Sequence, residues 1–194
     1  MRSIGGGLLV ALGLALASCG SNQSTGSPGA TASVSPSGTP SPRHTAQPGW
    51  KTYLSARWGY SIDYPADWFD LDNAGAPDTQ KYFSNERVGA PLEMTARGVW
   101  VTVEVQPNPT GPCPPSYVSK YVVRQSPTTL DSVATTRYVI NMTPSGGEAG
   151  YIIGVWGMHS ASCYSIQFLS TTPATRDALA GTADKLIASF RFGA

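Results

Sequence analysis

Charge is scarce in this 194-residue chain: 13% of its residues are Asp, Glu, Lys or Arg, about half the usual quarter. Its 13 basic and 12 acidic residues leave a net charge of +1, so no basic excess argues for a nucleic-acid partner. Two His and three Cys are too few for a metal-rich or disulfide-dense scaffold. No phosphate loop, nucleophile elbow, zinc-binding helix motif or dinucleotide fingerprint occurs. Glu93 and Glu104 lack a carboxylate partner at a spacing that suggests acid–base work. The sequence therefore offers no catalytic residue, no metal-ligand set and no cofactor. It also lacks a run of about 20 apolar residues, the length a membrane-spanning helix needs.

What is present begins with an address. Arg2 precedes a short apolar run from Ile4 to Ala17, which ends in Leu16-Ala17-Ser18-Cys19. A charged start, a short greasy centre and small residues at the end are the parts of a secretory signal. The Leu-Ala-Ser-Cys ending resembles the bacterial lipoprotein lipobox. That resemblance implies cleavage before Cys19, diacylation of its thiol and a lipid anchor, with 1–18 as the signal peptide. Residues 20–49 form a Ser/Thr/Pro/Gly tract with Arg43 as its one charge. Such a tract has too little apolar surface to offset the entropy of ordering, so it reads as a disordered tether. Thirty flexible residues span roughly 30 Å. O-linked sugars on a stalk of the same composition are the alternative reading.

The remaining 50–194 is long enough to bury a core as one domain. Without Arg2 and Arg43 it holds 11 basic against 12 acidic residues and is slightly acidic. Lys51–Ala56 and Gly59–Tyr64 read as strands joined at Arg57-Trp58-Gly59, with Tyr60, Ile62 and Tyr64 alternating against Ser61 and Asp63. Gln80–Asn85 is a weaker strand, and Gly98–Gln106 a strong one with Val99, Val101, Val103 and Val105 on one face. Ser116–Arg124 reads as a short helix. Strand pattern resumes over Thr128–Asn141 about Asp131-Ser132. A hairpin tip at Pro144–Gly147 leads into Tyr151–Met158, and a tight turn at His159–Ala161 into Ser162–Ser170. These connections are too short for crossovers, so the strands form an antiparallel meander. Thr172 caps one final helix that carries Leu179, Ala183, Leu186, Ile187 and Phe190 at helical spacing.

Gly59-Tyr-Ser-Ile-Asp-Tyr-Pro-Ala-Asp-Trp68 resembles the opening of PsbP-like domains, the fold shared by the photosystem II protein PsbP and the Ran-binding protein Mog1. Ser162–Phe168 is similar to the family's penultimate strand, and Leu186-Ile-Ala-Ser-Phe190 to its closing helix. The resemblance implies an α+β fold in which helices cover a central antiparallel sheet as an α/β/α sandwich. It also implies binding rather than catalysis. An Asn/Asp-Gly turn is expected where this chain has Asp131-Ser132.

Several residues carry candidate chemistry. Cys113 and Cys163 form an even pair in an exported domain and read as a disulfide, which closes a loop of about fifty residues and contributes roughly 3–4 kcal/mol. The rival reading makes Cys163 a nucleophile with His159 as its base. Asp63, Asp67, Asp70, Asp72 and Asp78 fall in sixteen residues that lack Lys and Arg. Asp70-Leu-Asp72 resembles the start of a calcium loop, but Ala74 and Lys81 stand where oxygen ligands are needed. A solvated acidic face is the plainer reading. Trp58, at a turn beside Arg57, is either a stacking platform for a sugar or partner, or a lid folded over the sheet edge. Arg57, Trp58, Asp70 and Asp72 are thus the ligand or partner candidates. The expectation is an extracytoplasmic, membrane-anchored module that binds an envelope protein or ligand. An envelope enzyme acting on glycan or peptide substrates is the alternative.

Overall fold

The computed structural model describes residues 45–71, 77–142 and 150–193. Cys19 and its signal, nearly all of the tether, Asp72 and the Pro144–Gly147 tip lie outside the described residues. The elements are β1 (Trp50–Ser55), β2 (Tyr60–Pro65), β3 (Phe69–Leu71), β4 (Gln80–Ser84), β5 (Val99–Pro107), α1 (Ser116–Tyr121), β6 (Val122–Leu130), β7 (Val133–Met142), β8 (Gly150–His159), β9 (Ser162–Ser170), α2 (Pro173–Ala178), α3 (Ala180–Ser189) and β10 (Arg191–Phe192). Seven strands pair in the order β3-β4-β5-β9-β8-β7-β6, and three in the order β1-β2-β10. Every pairing is antiparallel.

Alternation in β5 decides which face of the large sheet is apolar. Val99, Val101, Val103 and Val105 are buried in one cluster with Ile166 and Phe168 of β9 and Ile153 and Val155 of β8. Ala183, Leu186 and Ile187 of α3 close over this cluster, and Tyr60, Ile62 and Tyr64 of β2 join them. The opposite face holds a smaller cluster of Ile140, Ile152, Trp156 and Cys163 beneath Val118 of α1. Trp100 and Trp156 are both buried, as strand aromatics.

The helix-covered sandwich is corrected by this arrangement. On the main face the three-stranded sheet takes much of the area that helices were expected to fill. On the other face the cover, among the described residues, is one six-residue helix. The molecule is sheet-rich, with few helices.

Local chemistry accounts for the remaining differences. The Ser116–Arg124 helix stops at Tyr121, where Val122 and Val123 begin β6; β-branched pairs favour the extended chain. The single closing helix is two. Thr172 caps α2 by accepting the Thr175 N–H at 3.1 Å, but Leu179 leaves helical geometry at φ −103°, ψ 10°. Its N–H still reaches Thr175, while its carbonyl accepts from Thr182 and Ala183. The bend therefore leaves those backbone groups satisfied and turns α3 onto the core. Two short strands, β3 and β10, have three and two residues, too few to carry a readable period.

Asp131 and Ser132 both have positive φ, 45° and 70°. These are the angles of a two-residue hairpin turn that Asn/Asp-Gly adopts most easily. Asp131 is useful there because its carboxylate accepts the Phe192 N–H at 2.8 Å. The turn thus fastens β10 to the β6–β7 hairpin. Gly59, at φ 58°, closes the β1–β2 turn, and its carbonyl accepts the N–H of Gly193.

Candidate functional site

The residues singled out in the sequence fall into separate structural roles. Arg57 pairs with Asp78, and both side chains are well exposed, a setting in which an ion pair stabilises little. Trp58 is half-buried. Its indole N–H donates to the Asp78 carbonyl at 2.9 Å, the Arg57 guanidinium lies 5.2 Å from its ring, and its carbonyl accepts the Tyr164 hydroxyl at 3.2 Å. The indole is folded over the sheet edge as a latch on residue 78.

Asp70 in β3 pairs with Lys81 of β4, whose ammonium also sits 5.0 Å from the Tyr53 ring centre. Lys81, the misfit in a calcium loop, is the ion partner of Asp70. Asp63 is fully buried. It accepts the Thr52 hydroxyl at 2.7 Å, and its backbone N–H donates to Ser189 Oγ at 2.9 Å, so it ties β1, β2 and α3 together. Among the described residues no three His, Cys, Asp or Glu side chains gather as a metal site.

Cys113 and Cys163 are joined as a disulfide with Cα atoms 5.9 Å apart. Neither Cys113 nor Cys163 is therefore a free thiol for His159 to activate. The imidazole instead stacks on Phe192, with centroids 4.0 Å apart and planes 8° apart. Glu104 accepts from Gln80 at 3.0 Å, and Glu93 accepts the Gly89 N–H at 2.7 Å.

A concave surface lies elsewhere, where α2 and α3 overhang the β6–β7 end of the large sheet. Register places Arg124 opposite Val139, Ser126 opposite Arg137 and Thr128 opposite Thr135. Leu130 and Val139, on the same face, are buried, so this face points toward the helices. Because α3 packs chiefly on β2 and the core, it leaves the outermost strand partly uncovered, and the strand residues there are polar.

Two clefts result, one toward each end of α3. The first, of about 510 Å³, lies between Thr128, Thr129 and Ser132 on the hairpin and Asp184, Ala188 and Arg191. Its charges are paired across the gap, Arg137 to Asp184 at 2.7 Å and Arg191 to Asp131 at 3.8 Å. The second, of about 480 Å³, is lined by Val123, Arg124, Val139, Arg176, Asp177 and Ala180. Arg176 is 7% exposed. It donates to Asp177 at 2.9 Å and to Asn141 at 2.5 Å, and its guanidinium stands 5.9 Å from the Tyr151 ring. The hydrogen bond from Arg176 holds the Asp177 carboxyl below the usual carboxylate range.

Arg176 escaped sequence reasoning, although a signal existed. It stands three, seven and eleven residues before Leu179, Ala183 and Ile187, on the apolar stripe of the closing helix. A cation on such a stripe needs a polar partner on the surface it meets; here that partner is Asn141.

No family model matches the chain, and no curated protein matches it. Solved structures do. The cyanobacterial PsbP of Synechocystis sp. PCC 6803 superposes with a TM-score of 0.51 at 14% identity, over 81% of this chain and 99% of that one. The fold is PsbP-like. The Saccharomyces cerevisiae Ran-binding protein Mog1p is also similar, with a TM-score of 0.44 and 10% identity over 74% of this chain and 95% of that one. At these identities the likeness is one of architecture. A PsbP-like sheet with sparse helical cover is what leaves the β6–β7 end open beside α3.

Proposed function

We propose that the chain is a bacterial lipoprotein whose PsbP-like domain is a noncatalytic binding module, held at the extracytoplasmic face of the membrane by a lipid on Cys19. The observation that carries this reading is the Cys113–Cys163 disulfide in a domain preceded by Leu16-Ala17-Ser18-Cys19. Disulfides persist in oxidising compartments, and a lipobox signal delivers a chain to one. The two features, 94 residues apart at their nearest cysteines, point to the same side of the membrane. The tether supports the reading, because roughly 30 Å of loose chain lets an anchored domain reach a partner. The helix-side clefts supply the concave, polar surface such a module uses.

The test is membrane fractionation of cells expressing the wild-type chain or Cys19→Ala. Wild type is expected in the membrane fraction, and the variant in the soluble or secreted fraction. An unchanged membrane fraction for Cys19→Ala would refute the anchor.

A further inference from the structure

We propose that the cleft between Arg124 and Arg176 binds the carboxylate of an organic monoanion. This rests on the binding-module reading for its biological setting, although the chemistry of the cleft stands by itself. A guanidinium carries five N–H donors. Arg176 spends its Nε on Asp177 and Nη1 on Asn141, and among the described residues nothing accepts from Nη2. No fully buried side-chain nitrogen or oxygen there lacks a partner, so Nη2 is not sealed off. Arg176 is one of the residues that line the cleft. Arg176 is therefore a nearly buried cation, oriented by two hydrogen bonds, with donor capacity left for a ligand. Fixed donors of this kind bind without much loss of side-chain entropy.

Charge and shape narrow the occupant. Arg124 lies on the outer strand, exposed, and lines the same cleft. Two arginines against Asp177 leave one net positive charge, which matches a single negative charge. A phosphate dianion would add a second negative charge facing Asp177, at a cost. The other walls are Val123, Val139 and Ala180, apolar surface that favours a small hydrocarbon group beside the carboxylate. The neighbouring cleft differs, since its arginines are each paired with an aspartate. The two sources of such a carboxylate are a free short-chain acid and the C-terminus of a peptide.

The experiment is a titration of the full chain, followed by NMR of the arginine Nε–H groups and by calorimetry. The probes are butyrate, a tetrapeptide ending in valine with a free carboxylate, the same peptide as its C-terminal amide, and inorganic phosphate. Butyrate or the free peptide is expected to bind saturably and shift the Arg176 Nε–H, and the tighter of the two identifies the source. The amide is expected to bind at least about tenfold more weakly, as loss of a charge-assisted hydrogen bond implies. Arg124→Gln should weaken binding by a similar factor with an unchanged melting temperature. Asp177→Asn should tighten it severalfold, a gain that a purely structural Arg176–Asp177 pair does not predict. Absence of saturable carboxylate binding, phosphate binding as tightly as the carboxylates, or indifference to Arg124→Gln would each overturn the proposal. None of these outcomes depends on where the chain resides, so failure of the anchor and failure of the cleft are told apart.

Discussion

Removing the Cys113–Cys163 bond should lower stability by an amount the topology sets. The cysteines are 50 residues apart in sequence, and closing a loop of that length in the unfolded chain corresponds to about 4 kcal/mol of chain entropy at 25 °C. Cys163 is buried against Ile140, Ile152 and Trp156, so alanine is the better replacement, because it introduces no buried hydroxyl. For a domain of this size the urea dependence is about 2 kcal/mol/M, which places the midpoint of Cys113→Ala/Cys163→Ala about 2 M below the oxidised protein. The slope itself should rise, since the unfolded chain without its cross-link exposes more surface. Urea titration read by tryptophan fluorescence and by circular dichroism measures both quantities. Trp156 reports the α1 face directly. A midpoint shift smaller than about 0.5 M, with coincident transitions by the two probes, would show that the cross-link does not stabilise by restricting the unfolded chain.

Other expectations follow from single contacts. Ser132→Gly should stabilise the domain by about 0.5–1 kcal/mol in denaturant titration, since Ser132 holds φ 70°, where a non-glycine residue is strained. Thr172→Ala should cost about 1 kcal/mol in the same assay by removing the hydroxyl that accepts the Thr175 N–H. Burial raises the phenols of Tyr60, Tyr64 and Tyr164, and burial together with Glu104 raises that of Tyr82. The unfolded chain loses those protons first, from their ordinary value of 10.0. Their contribution to stability is therefore full below that pH and is lost as pH rises through the higher folded values. Thermal melts above pH 10 should fall less steeply for Tyr60→Phe than for wild type, and equal slopes would contradict this.

The sheet was legible where one face carries the continuous apolar core and the other mixes polar residues with isolated aromatics. Val99 to Val105 and Tyr164 to Phe168 alternate because one side of β5 and β9 meets the helices and β2, and period two survives in the sequence. Asp63 hides in the same kind of pattern. Its alternation with Tyr60, Ile62 and Tyr64 predicts an outward carboxylate, but the side chain is buried, with the Thr52 hydroxyl of β1 donating to the carboxylate and Ser189 of α3 accepting the backbone N–H. The helical cover is thinner than the sequence pattern predicts because the partner of the large sheet includes a second, smaller sheet, and Tyr60-Ser-Ile-Asp-Tyr64 does not reveal which surface it packs on. The bend at Leu179 left no composition signal, since its hydrogen bonds remain satisfied on either side.

The site was less legible than the fold. Arg57, Trp58 and Asp70 drew attention as charges and an aromatic near turns, and each finds an intramolecular partner. The arginines that line the open clefts come from β6, β7, α2 and the segment after α3. They are brought together by strand register and by the overhang of α3, neither of which a linear pattern records. Arg176 alone carried a local sign, a cation on an apolar stripe.

Mass spectrometry of the mature chain recovered from membranes shows whether Cys19 is the lipidated N-terminus. The expected result is an N-terminal peptide that begins at Cys19 and carries a diacylglycerol on its thiol. A mature chain that begins at another residue, or an unmodified Cys19, would contradict it.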